Sequence, residues 1–161
     1  MEFFSLVLLG IFLAIAIWLG LKLIRMKKMV TIYGKFLNLT KIMFIVALVF
    51  AVATIFLYWN NIGELIRSVV MIFAILMFIL LQDGLCEDGF FYVGNYVPFE
   101  DVTDFDYKRD KEKFIVYFSY RDPKQKSGNF STEIVFALKK GDEVEKALKD
   151  KIGKKYKRMK K

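Results

Sequence analysis

The stretch Phe78-Ile79-Leu80-Leu81-Gln82-Asp83-Gly84-Leu85-Cys86-Glu87-Asp88-Gly89 divides the chain into two kinds of polypeptide. Upstream of Gln82 lie three long apolar runs with few charges. Downstream comes a dense mixture of Lys, Asp, Glu and aromatic residues that needs water around it. At 56% hydrophobic residues the 161-residue chain is too apolar on average for an ordinary soluble domain, but the average conceals this division. The first 81 residues carry seven basic and two acidic side chains and the remainder eighteen and fifteen, which together give the formal charge of +8.

The apolar runs cover residues 3–24, 42–59 and 62–81. Each is close to the ~20 residues with which a helix crosses a ~30 Å hydrocarbon core. The first holds Lys22 near its end, the second no charge, and the third only Glu64 and Arg67 in its opening turns. Three transmembrane helices are expected, making residues 1–82 a membrane region. The first run does not read as a cleaved leader, because Glu2 rather than a basic cluster precedes it and Lys22, Arg25, Lys27 and Lys28 follow it. Its expected role is a retained anchor.

Orientation follows from loop charges. Lys22, Arg25, Lys27, Lys28, Lys35 and Lys41 lie between the first two runs with no acidic residue among them. The positive-inside rule puts that loop in the cytoplasm, the N-terminus and the Trp59–Gly63 turn outside, and everything after Leu81 inside, at the cell membrane. Trp18, Tyr58 and Trp59 fall near span ends, where aromatic side chains anchor at the interface. Polar content within the spans is slight, with Thr54 and Ser68 supplying hydroxyls, so a transport pathway built by this chain alone is not expected. Gly10/Ala14, Ala16/Gly20 and Ala47/Ala51 recur at i+4 and suit close helix approach, expected first within the chain.

Residues 83–153 read as a small antiparallel β domain ending in one amphipathic helix. Phe90-Phe91-Tyr92-Val93 and Tyr96-Val97-Pro98-Phe99 flank Gly94-Asn95, a glycine-first turn of type II′ hairpin kind. Val102 to Tyr107 alternates imperfectly, Phe114 to Tyr120 is a β-branched and aromatic run, and Phe130 to Leu138 supplies a further strand. The charged stretch between the last two, holding Pro123 and Gly128, reads as a loop. Asp142 with Glu145 forms a capping-box pattern, and Val144, Ala147, Leu148 and Ile152 make an apolar helical stripe that Gly153 ends.

The residues Glu87-Asp88-Gly89 and Gly94-Asn95-Tyr96-Val97-Pro98-Phe99-Glu100-Asp101-Val102 carry a resemblance. This segment resembles bacterial membrane-anchored families whose N-terminal spans precede a compact pleckstrin-homology-like (bacterial PH) domain. The resemblance covers about the last eighty residues and implies a fold and a membrane-proximal location, with Gly89, Gly94, Pro98, Phe99 and Asp101 as structural motif positions. It implies no activity. A full barrel of that kind has seven strands, and eighty residues are few for that number, so a truncated or partly open version is expected.

Chemistry is limited by composition. The chain has no His and a single Cys, Cys86, so a His base, a His metal site and an internal disulfide are all excluded. Ser119, Ser127, Ser131 and Thr132 therefore lack a His to activate them, and no phosphate-cradling glycine motif occurs. Glu100, Asp101, Asp104, Asp106 and Asp110 lack the spacing of a Ca²⁺ loop and read as a solvated face. Cys86 lies where acylation is sometimes seen, but a small buried thiol is the plainer reading. No catalytic, metal-binding or cofactor-binding set is expected.

The tail, residues 154–161, holds Lys154, Lys155, Lys157, Arg158, Lys160 and Lys161 around Tyr156 and Met159. A charge run of this kind is usually solvated. Beside an anionic leaflet each such charge contributes roughly 1 kcal/mol near the surface, so lipid headgroups are the expected contact. Nucleic acid is not expected. The sequence thus reads as a non-enzymatic membrane protein whose partners are the bilayer, an unidentified protein and anionic headgroups. An accessory subunit of a transport complex is the alternative, and a membrane enzyme the least favoured.

Overall fold

The computed structural model describes residues 3–121 and 128–158. They form two units, a helical one up to Lys27 together with Leu37–Leu81, and a second made of Lys28–Phe36 with the residues from Gln82 onward. Met159, Lys160 and Lys161, and the expected loop around Pro123, lie outside the described residues.

The helical unit consists of α1 (Phe3–Met29), α2 (Leu39–Leu57) and α3 (Ile62–Leu80), each long and apolar enough to cross a membrane. The helix α1 continues five residues beyond the expected end at residue 24. Asn38 and Asn61 cap the other two helices, their side chains accepting from the Lys41 and Glu64 amides at 2.8 and 3.3 Å. Large apolar side chains face outward along all three, as in Phe50 at 70% and Phe56 at 76% exposure, a pattern suited to lipid rather than water. Polar contacts join the helices. Thr54 Oγ1 donates to the Ala51 carbonyl and lies 3.1 Å from Ser68 Oγ, linking α2 to α3. Ser5 in α1 donates to Glu64 of α3 at 3.1 Å, and Glu64 is paired with Arg67.

The small-residue pairs divide in their behaviour. Ala16 and Ala51 are buried, but a Cβ added at Gly10 or Gly20 would meet nothing within 4 Å. The glycines are therefore not used for close approach within the chain, contrary to expectation at those two positions.

The second unit holds two antiparallel sheets. The first has the order β1 (Val30–Tyr33), β2 (Gly84–Cys86), β3 (Gly89–Tyr92), β4 (Asn95–Pro98), and the second β5 (Val102–Arg109), β6 (Lys113–Arg121), β7 (Asn129–Ala137). A 3-10 turn, Leu138–Lys140, leads into α4 (Gly141–Ile152). The strand β1 lies between α1 and α2 in the chain, so the sheet joins segments more than fifty residues apart, with Val30 opposite Cys86, Ile32 opposite Leu85 and Tyr33 opposite Gly84. Neither β1 nor β2 was expected as a strand. With them the described residues reach seven strands, four and three.

Close approach explains the glycine at position 84. A Cβ at Gly84 would lie 2.5 Å from Val30 Cγ1 and 2.7 Å from the Ile32 carbonyl, so only glycine lets β1 lie against β2. Beyond β1 the chain crosses toward the other sheet. Gly34 donates to the Asp83 carbonyl at 2.8 Å, Lys35 donates its amide to the Val135 carbonyl of β7 at 2.6 Å, and Lys140 Nζ reaches the Tyr33 carbonyl.

The core lies between the sheets and under α4. Phe90, Phe105, Phe114, Phe118 and Phe136 are fully buried there with Val144 and Leu148 of α4, so the predicted apolar stripe of that helix is the face it buries. Phe90 and Phe118 stack at 4.1 Å between ring centroids, and Phe99 meets Phe90 edge-on. The imperfect alternation of β5 has a physical cause: the register shifts between Val102 and Asp104, a bulge that lets both Val102 and Phe105 face inward.

Two local expectations are corrected. The hairpin turn is Val93-Gly94, one residue earlier than expected, with φ of 47° and 73°. Two successive positive φ values belong to the type I′ rather than the II′ turn. Val93, whose β-branched side chain disfavours that conformation, is held by its amide donating to Asp83 Oδ1 at 2.7 Å. Likewise α4 begins at Gly141 after Lys140, which makes no side-chain cap bond, and glycine at 141 leaves room for the Phe114 ring, which a Cβ there would strike at 2.9 Å. Asp142 and Glu145, expected as a capping box, instead both pair with Arg109 of β5.

Candidate functional site

The motif positions carried by the resemblance build the corner between the sheets. Gly89 opens β3 where an added Cβ would lie 2.3 Å from the Val97 carbonyl. Gly94 makes the turn, and Pro98 ends β4. Phe99 is buried and donates its amide to the Asp88 carbonyl at 2.8 Å, and Asp101 donates to Pro98 while its carbonyl accepts from Arg121. Their work is architectural.

Cys86 sits in β2 at 5% exposure, and burial pushes its thiol up to about 11. The thiolate needed for alkylation is therefore scarce at neutral pH. In the native protein at pH 7.5 Cys86 should resist iodoacetamide and react fully only after denaturation, as intact-mass spectrometry would show; rapid native labelling would contradict this placement. Ser119 and Ser131 face each other across β6 and β7 with their hydroxyls 2.9 Å apart, so each has its partner within the sheet. Among the described residues no three Cys, Asp or Glu side chains gather as a metal-binding group.

The basic tail is brought against β5. After α4 a 3-10 turn, Gly153–Lys155, leads to Tyr156, which forms a parallel bridge with Phe105. Lys157 donates its amide to the Phe105 carbonyl at 2.9 Å. The Tyr156 ring lies 5.6 Å from Phe105 and 5.5 Å from Tyr107. Its phenol is held above the usual range, first by desolvation and then by the nearby Asp106 carboxylate. Lys155 Nζ donates to the carbonyls of Phe99, Glu100 and Val102 at 2.6, 3.2 and 2.7 Å. Of the six basic residues predicted to face lipid, Lys155 thus directs its ammonium into the corner between β4 and β5. Lys154, Lys157 and Arg158 are exposed, and Lys160 and Lys161 lie outside the described residues.

The acidic group lies along β5 and at its two ends. Asp104 and Asp106 are on β5, Glu100 and Asp101 lead into it, and Asp110 follows it. Beside them Tyr107 donates its hydroxyl to Glu145 at 3.0 Å, and Lys149 pairs with the same carboxylate, which the Lys149 hydrogen bond holds below its ordinary range. The pairing of the tail with β5 was not read from the sequence. Its only trace there is an aromatic residue, Tyr156, within a run of lysines.

Residues 81–153, from the end of α3 to just past α4, match a family described as Domain of unknown function (DUF5673). The match leaves out β1 and the whole tail. No curated protein and no solved structure matches the chain.

Proposed function

We propose that the chain is a non-enzymatic multi-pass protein of the cell membrane whose second unit is a pleckstrin-homology-like binding module on the cytoplasmic side, holding a protein partner or anionic headgroups. One observation supports the reading: two antiparallel sheets of four and three strands with one C-terminal helix packed on the core, a strand number equal to that of the fold that the sequence resembles. Pairing of β1 with β2 requires the chain to leave α1 and α3 on the same side of any membrane they cross. That agrees with the loop charges, which favour the cytoplasm. The lack of His throughout the chain supports a binding rather than a catalytic role.

The test uses the full chain. Photo-crosslinking residues placed at exposed positions of the β unit in intact cells, together with flotation of the reconstituted protein on phosphatidylserine liposomes, should give a discrete crosslinked partner or headgroup-dependent binding. Neither result appearing would end the reading. A second reading, an accessory subunit of a transport complex, draws on the unfilled space beside Gly10 and Gly20. It expects co-purification in mild detergent that Gly10→Leu and Gly20→Leu abolish.

A further inference from the structure

The strand β5 is an edge of its sheet, and an edge strand presents backbone groups ready to pair with another extended chain. Here that edge is already in use, but only in part. The chain's own Tyr156 bridges to Phe105, and Lys157 donates to the Phe105 carbonyl at 2.9 Å. Two residues further along β5, on the same side, the Tyr107 amide donates instead to Asp106 Oδ1 of its own strand at 2.8 Å. The next rung of the ladder is thus closed by a side chain rather than by a strand. Asp104 and Asp106 line this edge, and Lys154, Lys157 and Arg158 on the tail are exposed beside it, so the charges of edge and occupant are complementary.

We propose that the β5 edge is a docking surface for an extended basic segment of a partner protein with an aromatic residue at its centre, and that Lys155–Lys157 fills it as an internal ligand. The inference rests on the reading of this unit as a binding module and names its partner class. The tail shows what the edge accepts: a parallel strand, one ring placed against Phe105 and Tyr107, and exposed cations at Lys154, Lys157 and Arg158 flanking that ring. The bridge to Phe105 and the Lys157 amide bond make a short contact, whose strength comes from covalent tethering rather than from area. A longer partner segment adds the rung at Tyr107, where its carbonyl replaces Asp106 as acceptor, and so displaces the tail. The shared core is untouched by the exchange, because Phe105 itself remains buried on the inner face.

The test uses the full chain in zwitterionic nanodiscs and a fluorescent peptide with the sequence of residues 153–161 as the probe. In a variant carrying Tyr156→Ala and Lys157→Pro, which removes the ring and the donated amide, the peptide should bind at least about tenfold more tightly than to the unaltered protein, because no tethered competitor remains. Adding Asp104→Lys and Asp106→Lys should abolish that binding. Equal binding to released and unaltered protein, or equal binding of a scrambled peptide of the same charge, overturns the proposal.

Should the released variant lose its cooperative thermal transition, hydrogen exchange on the unaltered protein decides. Peptide at about 1 mM, comparable with the effective concentration of a short tether, should speed exchange of the Lys157 amide and slow that of Tyr107. No change at either amide overturns the proposal. Release of the Lys157 amide by phosphatidylserine nanodiscs and not by peptide would assign the tail to the membrane and overturn it as well. A peptide that fails to bind in a protein that still crosslinks a cytoplasmic partner ends this inference and leaves the binding module standing.

Discussion

Replacing Phe118 with alanine should lower the unfolding free energy of the β unit by about 3–5 kcal/mol, the range for a fully buried aromatic side chain. Phe118 has no exposed surface and sits at the centre of a chain of rings: stacked on Phe90 at 4.1 Å, edge-on to Tyr92 at 6.2 Å and tilted to Tyr120 at 5.9 Å. Its loss removes transfer free energy and leaves a cavity between the two sheets, which their strand pairing prevents from collapsing. A small domain has total stability of about 5–15 kcal/mol, so one substitution removes a large part of it. Hydrogen exchange of β6 amides in detergent measures the effect. Protection unchanged within a few-fold would mean that Phe118 does not join the two sheets.

The second large effect is expected from Gly84→Ala. The added methyl carbon would lie 2.5 Å from Val30 Cγ1 and 2.7 Å from the Ile32 carbonyl, inside contact distance on both sides. The side chain of Val30 can turn away, but the Ile32 carbonyl is backbone, so β1 must shift from β2. Overpacking of this kind costs about 1–3 kcal/mol. Its distribution is more telling than its size. Exchange should rise first at Val30–Tyr33 and at Gly84–Cys86, while the amides of β6 and β7, whose strand partners are each other and β5, keep their protection. A uniform rise across both sheets would show that β1 is not a separable strand.

The contrast between these two residues shows what was legible in the sequence. Three helices, the long strands β6 and β7, and the buried face of α4 each rest on an apolar, aromatic or amphipathic run of seven or more residues, and all are present. Phe118 lay within such a run. The strands β1 and β2 are four and three residues long, too short for any period to register, and Val30–Tyr33 lies directly after the basic end of α1. Read locally, Lys27, Lys28 and Lys35 mark only a juxtamembrane loop. Its pairing with Gly84–Cys86 is non-local and leaves no mark in either segment except the glycine at 84.

The candidate site was hidden for the same reason. Read separately, the acidic residues of β5 suggest a solvated face and the basic tail a lipid-facing run, and neither reading points to the other segment. Only the folded chain brings residue 156 to residue 105. The turn at Val93-Gly94 was misplaced because a β-branched residue is a poor choice for positive φ. The Asp83 carboxylate that holds it is ten residues away.

The central claim is that the segment between the first two helices completes the sheet of the C-terminal unit. Val30 and Cys86 are directly opposed in that pairing, and Cys86 is the chain's sole cysteine. Opposed residues on antiparallel strands have Cα atoms about 4.5–5.5 Å apart, within the span a disulfide can bridge. The Val30→Cys variant, oxidised in the membrane and digested, should yield one disulfide-linked peptide pair containing positions 30 and 86. Two thiols that remain free and separately alkylated in folded protein would contradict it.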